Sequence, residues 1–595
     1  MPFAVPAEFQ TRPDLTGTFG MSASTHWLAS GTAQSVLERG GNAFDAATAA
    51  AFVLHIVEPH LNGPGGDLVA IVSPVGKPPM VLMGQGPAPA AASISHMRRL
   101  GLDMVPASGA LAAAVPGAVD AWLLLLRDHG TWEPADVLDY AIGYAGNGHV
   151  LADRVAAVIG TVSDLFFEHW PTSADLWMPG GRIPESGGVF KNPAYAATLR
   201  RLVAAGRDRG SRRERIEAAR SEWRTGSIAQ EIDAFVRQPH RHSDGRDHRG
   251  VLRRSDMGAF SAGWEQPVTL DFRGTTVLKS GPWGQGPVLL QALAILDGLA
   301  DEDIDPSTAV GCHNILEALK LALADRDAYY GDGLDPSQLD VLLSREYAAV
   351  RRKEIGEQAS AEFRPGVCGV DPFLPPLVEA SGSASSGATG EPTVTVKGET
   401  RGDTCHIDVM DRWGNAVSAT PSGGWLQSSP TIPSLGFALG TRLQMTWLDP
   451  ASPSALRPGK RPRTTLTPTV LMRDGWAVGA LGTPGGDQQD QWQLSYLVRT
   501  LVGGYTPQQA IDAPTLHTTS MVGSFWPRTW EPAGAVVEDR LGDPVIDELI
   551  GRGHRVTRAG DWSLGRLSAV TRDPGTGLLG AAANPRGAHG YAVGR

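Results

Sequence analysis

The chain has 595 residues, 42% of them hydrophobic and 19% charged, and a formal net charge of -11 at pH 7. Its length exceeds one ordinary core and points to two to four domains or one large multilayer fold. The acidic balance leaves no electrostatic footprint for nucleic acid. The three cysteines (Cys312, Cys368 and Cys405) make a disulfide framework an unfavoured expectation.

Residues Met1 to Glu8 lack the basic and apolar regions of a signal peptide, and no run of about 18 apolar residues is present to span a membrane. A soluble, cytoplasmic protein is the expectation. Leu28 to Arg39 and Ala43 to Val57 have helical composition, split by Gly40-Gly41-Asn42, a C-cap followed by a restart. The second helix is almost wholly apolar and alanine-rich, so it is expected to be buried on most sides. It runs into a turn-rich loop from Glu58 to Asp67, then a strand over Leu68 to Val72. Helices are expected around 117–129, 135–146 and 190–205. Residues 206–255, rich in Arg, Asp and His, read as a solvated insertion or helix–loop segment. A strand-like run over 267–279 leads to a helix from Val288, and another helix spans His313 to Tyr330.

A Gly/Ser/Thr/Glu-rich stretch over about 378–402 cannot build a core and is expected to be flexible. It ends at Asp403-Thr404-Cys405, which opens a strand–turn–strand through Ser418 with Arg412-Trp413-Gly414-Asn415 as the turn. A flexible segment ending at a threonine that starts a buried strand is the layout of a self-cleaving precursor. Cleavage before Thr404 gives it a free α-amine of pKa about 7.7–8.0 beside its own hydroxyl, a known way to activate a weak nucleophile. The alternative is a threonine that merely starts a strand. Strands at Thr467–Met472 and Trp476–Gly482 follow, then a helix from Asp487. The sum is a mixed α/β chain without an internal repeat.

Gly485 and Gly486 follow a strand and precede a helix that Asp487 is placed to cap. Successive glycine N–H groups there suit the oxyanion of an acyl-transfer intermediate, and a tight turn is the alternative. Neither GxGxxG nor a following Lys-Ser/Thr is present for a nucleotide. Thr464 and Thr465, in a basic loop entering a strand, are positioned either to donate to a substrate carboxylate or only to enter the strand. His240, His242 and His248, with Asp244 and Asp247, fit no standard zinc spacing, so no metal is expected. Cys405 and His406 are strand neighbours facing opposite sides, which argues against a direct thiol–imidazole pair.

Together these pieces resemble the γ-glutamyltransferase family of N-terminal-nucleophile hydrolases over nearly the whole chain. The resemblance is carried in order by Gly40-Gly41-Asn42-Ala43-Phe44-Asp45-Ala46-Ala47, Val57-Glu58-Pro59-His60, Gly65-Gly66, Val115-Pro116-Gly117, Glu317-Ala318 with Ala324-Asp325-Arg326, Asp403-Thr404, Pro458-Gly459-Lys460-Arg461-Pro462 and Gly485-Gly486. It implies a four-layer αββα sandwich cleaved autocatalytically between Asp403 and Thr404. The products would be a large fragment, 1–403, and a small one, 404–595, forming a heterodimer and possibly a dimer of these, without a cofactor. Thr404 would attack an amide carbonyl, Gly485 and Gly486 would hold the oxyanion, and Ser422 falls where the family has a second hydroxyl supporting the nucleophile. Thr464 and Thr465 fall where it has a serine pair that contacts substrate.

Departures from the pattern bear on the substrate. The family's glutamyl-binding arginine is here Gln85, and the groups that recognise the α-amino end are absent from 436–445. Losing a bidentate arginine and an acidic partner removes recognition of a zwitterionic amino acid. Arg442 introduces a new cation near the same place, as a substrate contact or a structural ion pair. With Ser422-Gly423-Gly424-Trp425, it looks like the oxamate amidohydrolase branch. Hydrolysis of a small carboxylated amide is therefore expected. The alternatives are a γ-glutamyl transferase or hydrolase acting on glutathione-like donors, and an inactive ligand-binding relative.

Overall fold

A computed structural model describes residues 3–379, 393–397, 400–401, 404–587 and 589–595. The expected cleavage residue Asp403 and most of the Gly/Ser-rich stretch lie outside the described residues. Two seven-stranded sheets, antiparallel throughout, dominate the architecture. The first contains β2 (Gly20–Ser24), β3 (Asp67–Ser73), β4 (Met80–Gly84), β5 (Gly263–Glu265), β8 (Ile407–Asp411), β9 (Ala416–Ser422) and β14 (Tyr591–Gly594). The second contains β1 (Leu15–Gly17), β6 (Val268–Phe272), β7 (Thr275–Lys279), β10 (Thr469–Arg473), β11 (Trp476–Gly482), β12 (Ser568–Arg572) and β13 (Leu579–Ala583). Their orders are β14-β2-β8-β9-β3-β4-β5 and β1-β13-β12-β11-β10-β7-β6.

An apolar layer that includes Met21, Ile71 and Met410 from the first sheet and Val470, Ala480 and Val570 from the second fills the space between them. Helices α1 (Trp27–Glu38), α2 (Ala43–Val57) and α3 (Ala118–His129) cover the outer face of the first sheet, where Phe52 and Trp122 belong to one core with Ile407, Val409 and Val417. Helices α4 (Pro287–Leu296), α5 (Ala309–Tyr329) and α6 (Gln489–Leu501) cover the second. The result is the four-layer αββα sandwich.

Asn42 explains where α2 starts: its Oδ1 accepts from the Phe44 and Asp45 N–H groups while Asp45 accepts from the Asn42 N–H, a reciprocal cap. Every residue of α2 is buried, so Glu58, just past its end, is delivered into the interior. The loop that follows runs so close to residues 422–424 that a Cβ on Gly66 would lie 2.1 Å from the Ser422 carbonyl oxygen. Residues before and after position 404 interleave in both sheets, with β8 and β9 inserted between β2 and β3.

Several local expectations change. Residues 206–255 are not a solvated insertion: Arg212–Thr225 and Ser227–Val236 are helices whose Ile216, Trp223, Ile228 and Ile232 join the core beneath the first sheet. The long strand over 267–279 is a hairpin turning at Arg273-Gly274, both at positive φ. Within the stretch expected to be flexible, Val378–Glu379 pairs in parallel with Thr529–Trp530, and Thr393–Val394 pairs with Thr400–Arg401. Asp487 does not cap α6, which begins after Gln488 without a side-chain cap. Its carboxylate is drawn instead to Arg326.

Candidate active site

Thr404 is buried and bridged across the ladder to Ser422 at the end of β9, and Ser422 pairs in turn with Asp67 of β3. Three adjacent strands therefore bring Thr404, Ser422 and Asp67 into one row. The pleat sends alternate side chains to opposite faces. Cys405, Ile407 and Val409 enter the helix-side core, and Met410 enters the layer between the sheets. Thr404, His406 and Asp408 share the inter-sheet side by the same alternation.

The Thr404 hydroxyl lies 3.3 Å from Ser422 Oγ and donates to the Gly485 carbonyl oxygen at 3.1 Å. Gly485 adopts φ +120°, a conformation a side chain rarely tolerates, and a Cβ there would sit 3.0 Å from the Trp492 ring. Gln489, the first residue of α6, donates its side-chain amide to the same carbonyl. The loop beside Thr404 is thus held by its own helix. A carbonyl rather than an N–H faces the threonine hydroxyl.

Behind that loop Asp487 accepts from Arg326 and from the N–H of Ser524. Arg326 also donates to Gln285 Oε1 at 3.0 Å and to the Val522 carbonyl at 2.9 Å. Arg463, adjacent to Thr464, donates to Asp327 at 2.8 Å and to Ser524 Oγ at 2.9 Å. Arg528 donates to the Gln444 and Thr446 carbonyls, at 2.8 and 3.0 Å, and stacks over Trp447. Burial and its neighbour Arg463 lower its pKa to about 9. The nearby Asp327 and Asp487 are shared among these three guanidiniums, so the cluster carries a surplus positive charge.

Arg442, placed near the substrate by the sequence, is held by Asp67 through two hydrogen bonds, Nε–Oδ2 at 2.7 Å and Nη2–Oδ1 at 2.8 Å. Burial pushes the Asp67 carboxyl up and Arg442 opposes that shift. Gln85 is fully buried; its Nε2 donates to the Gly86 carbonyl while Oε1 has no partner among the described residues. Thr464 Oγ1 accepts from the Leu466 N–H. Thr465 Oγ1, also buried, has no hydrogen-bond partner among the described residues.

On the other side of Thr404, Cys405 Sγ donates to Glu58 Oε2 at 3.1 Å and accepts from Asn62. His406 faces away from Cys405, with Nδ1 3.0 Å from Thr420 Oγ1 and Nε2 2.8 Å from Asp408. A thiol–imidazole pair is absent, as the strand geometry requires. Sequence reasoning missed Glu58, Asp67, Arg463, Gln489 and Arg528 as site residues. Only Glu58 carried a signal, as a lone acid closing an apolar helix.

The histidines of 240–248 are absorbed by local structure: His242 Nε2 accepts from the Leu111 N–H, His248 pairs with Asp244, and His240 stacks on Phe235. Elsewhere His313, Glu317 and His554 gather within 4.8 Å. The two rings hydrogen-bond each other at 2.9 Å, and Glu317 is engaged by Lys320 and Arg364.

The family model for gamma-glutamyltranspeptidase matches residues 29–594. The chain is 31% identical over 590 residues to the glutathione hydrolase-like YwrD proenzyme of Bacillus subtilis, covering 97% of this chain and 99% of that protein. It is also 31% identical over 590 residues to the oxamate amidohydrolase proenzyme of Klebsiella pneumoniae, covering 97% and 98%. The solved structure of LmbA2991HD has a TM-score of 0.93 with 52% identity, covering 99% of this chain and 100% of that chain.

Proposed function

The chain belongs to the gamma-glutamyltranspeptidase family, and from that premise we propose that it is an autoprocessed amidohydrolase with Thr404 as its N-terminal nucleophile, acting on a small carboxylated amide such as oxamate. The observation that carries this reading is the Thr404 hydroxyl, buried between Ser422 and the Gly485 loop. In processing, Thr404 Oγ1 attacks the carbonyl carbon of residue 403 and its proton passes to the departing nitrogen. The resulting ester is hydrolysed by water, leaving fragments 1–403 and 404–595 held together by their interleaved strands.

In turnover the same oxygen attacks the substrate amide, with the new α-amine taking its proton. The amide C–N bond breaks, the amine leaves with a proton, and water releases the acyl group. Rotation of the Gly485–Gly486 peptide after cleavage would present the Gly486 N–H to the oxyanion. The surplus charge of Arg326, Arg463 and Arg528, together with Thr464 and Thr465, favours an acyl group that bears a carboxylate. Arg442, neutralised by Asp67, shapes this pocket and adds no isolated charge. Gln85, where the family has its glutamyl-binding arginine, disfavours a γ-glutamyl substrate. The glutathione-hydrolase reading stands second, supported by the equal similarity to YwrD.

Intact mass spectrometry of the purified protein, with ammonia and glutamate release followed on oxamate and glutathione, tests this. Fragments split before Thr404 and ammonia from oxamate alone are expected. Glutamate from glutathione would transfer the assignment to the second reading, and an uncleaved chain would remove both.

A further inference from the structure

Antiparallel pairing turns successive residues' backbone groups alternately toward one neighbour strand and then the other. Cys405 donates its N–H to Pro421 on the β9 side at 3.0 Å, whereas the His406 carbonyl accepts from the Thr25 N–H on the β2 side at 3.2 Å. By that alternation the nitrogen of Thr404 is directed away from β9, toward Thr25. Glu58 stands on this side: its Oε2 accepts from Thr25 Oγ1 at 2.5 Å and from Cys405 Sγ at 3.1 Å.

Only these two neutral donors reach the carboxyl among the described residues. Among the described residues no hydrogen bond reaches Oε1 and no cation lies within ion-pair distance of Glu58. A buried carboxylate without a cation is costly, and burial pushes this one above its ordinary range. The charged or titratable groups facing it are Cys405 on the strand, with His589 and Arg566 acting at longer range. Asn62 reaches it only through Cys405.

On the reading of Thr404 as an autoprocessed nucleophile, we infer that Glu58 is a positioning residue for the Thr404 α-amine, its free oxygen becoming the counter-ion of the ammonium that cleavage creates. The bond between the residue 403 carbonyl carbon and the Thr404 nitrogen breaks, and water ends as hydroxyl on that carbon and proton on the nitrogen. The cation so formed meets the Glu58 carboxyl on the side toward which the nitrogen is directed, and its charge stabilises the ionised form of that group. Glu58 thereby aims the amine and sets the pH at which it sheds its proton and becomes a base for Oγ1.

Cyanate, which carbamylates only neutral amines, reports this without a substrate. Its rate at Thr404 is followed from pH 6 to 10 by mass analysis of the 404–595 fragment, for the wild-type chain, Glu58→Gln and Glu58→Asp. Removing the carboxylate makes the ammonium easier to deprotonate. The reactivity limb of Glu58→Gln is therefore expected at lower pH by about one unit or more, the size of effect for an opposite charge a few ångströms away. Glu58→Asp keeps the charge and should keep the limb near the wild-type position, which itself should lie at or above the free α-amine range of about 7.7–8.0. That last comparison holds even if Glu58→Gln fails to fold. Coincident limbs, a wild-type limb below the free range, or a nitrogen unreactive throughout overturn the inference while a cleaved chain leaves the Thr404 reading intact. An uncleaved wild-type chain overturns both.

Discussion

Asp67 grips Arg442 through both carboxylate oxygens, one strand away from Ser422 and two from Thr404. The guanidinium also lies over the Trp425 ring. The charge that the sequence suggested as a substrate contact is thus neutralised by a carboxylate on the neighbouring strand, and the pair flanks the row of Ser422 and Thr404.

Arg442→Met should destabilise the protein by about 3–5 kcal/mol, because Asp67 is left buried without its cation. The double variant Asp67→Asn with Arg442→Met should recover part of that loss. Urea midpoints for the single and double variants measure both effects; additive losses would show that the two residues are not coupled.

Thr404→Ala should remain a single chain of 595 residues, since no hydroxyl is left to attack residue 403. Thr404→Ser should still divide. A Thr404→Ala chain that divides, seen by intact mass, would move the nucleophile elsewhere.

Gln85→Arg should raise activity on a γ-glutamyl anilide by less than about tenfold, or 1.4 kcal/mol. The side chain is fully enclosed, and the α-amino partners would still be missing. A larger gain in kcat/KM would contradict the assignment of a carboxylated, ammonium-free acyl group.

Gly482→Ala should disturb both the fold and processing. A Cβ at Gly482 on β11 would lie 2.2 Å from Cε1 of His406, which extends from the opposing sheet and is fixed by Thr420 and Asp408. Overpacking of this kind costs about 1–3 kcal/mol or more. A lowered thermal midpoint and slower appearance of the 404–595 fragment are expected.

Acidification from neutral pH should weaken the protein through its buried histidines. Burial holds His26, His55, His517 and His554 down to about 3. Unfolded, each binds a proton near pH 6.5, so the unfolded state takes up more protons and stability falls as pH drops from about 6.5 toward 3. Between pH 7.5 and 5.5 the loss should be about 1 kcal/mol per histidine. Urea denaturation at the two pH values checks the sum, and His55→Gln should reduce the difference.

The parts legible in the sequence are those decided within a few residues. Asn42 and Asp45 cap each other across three positions, and Gly414, at φ +95°, turns the chain between β8 and β9 as the Trp413-Gly414-Asn415 signal requires. Thr404 does not itself open the strand: it forms an isolated bridge to Ser422, and the buried strand, whose register alternation and the turn fix, begins three residues later at Ile407. The ordered motifs identify the family and the sandwich. Composition misled over 206–255, where Arg and Glu dominate the helices while the few apolar residues, at helical spacing, face the core.

The sequence by itself determined the family, through motifs in a fixed order, and that resemblance implied the two-sheet architecture. Caps, turns and strand alternation, which act over short separations, determined the local elements. Only the tertiary structure decided how the charges pair. Arg442 meets Asp67 across 375 positions, Asp487 turns from capping its own helix to Arg326, 161 positions away, and Glu58 reaches Cys405 across 347. Those choices follow from burial: a charge enclosed by the sandwich must find whatever partner the neighbouring strands and helices bring to it, and no local pattern records which one that is.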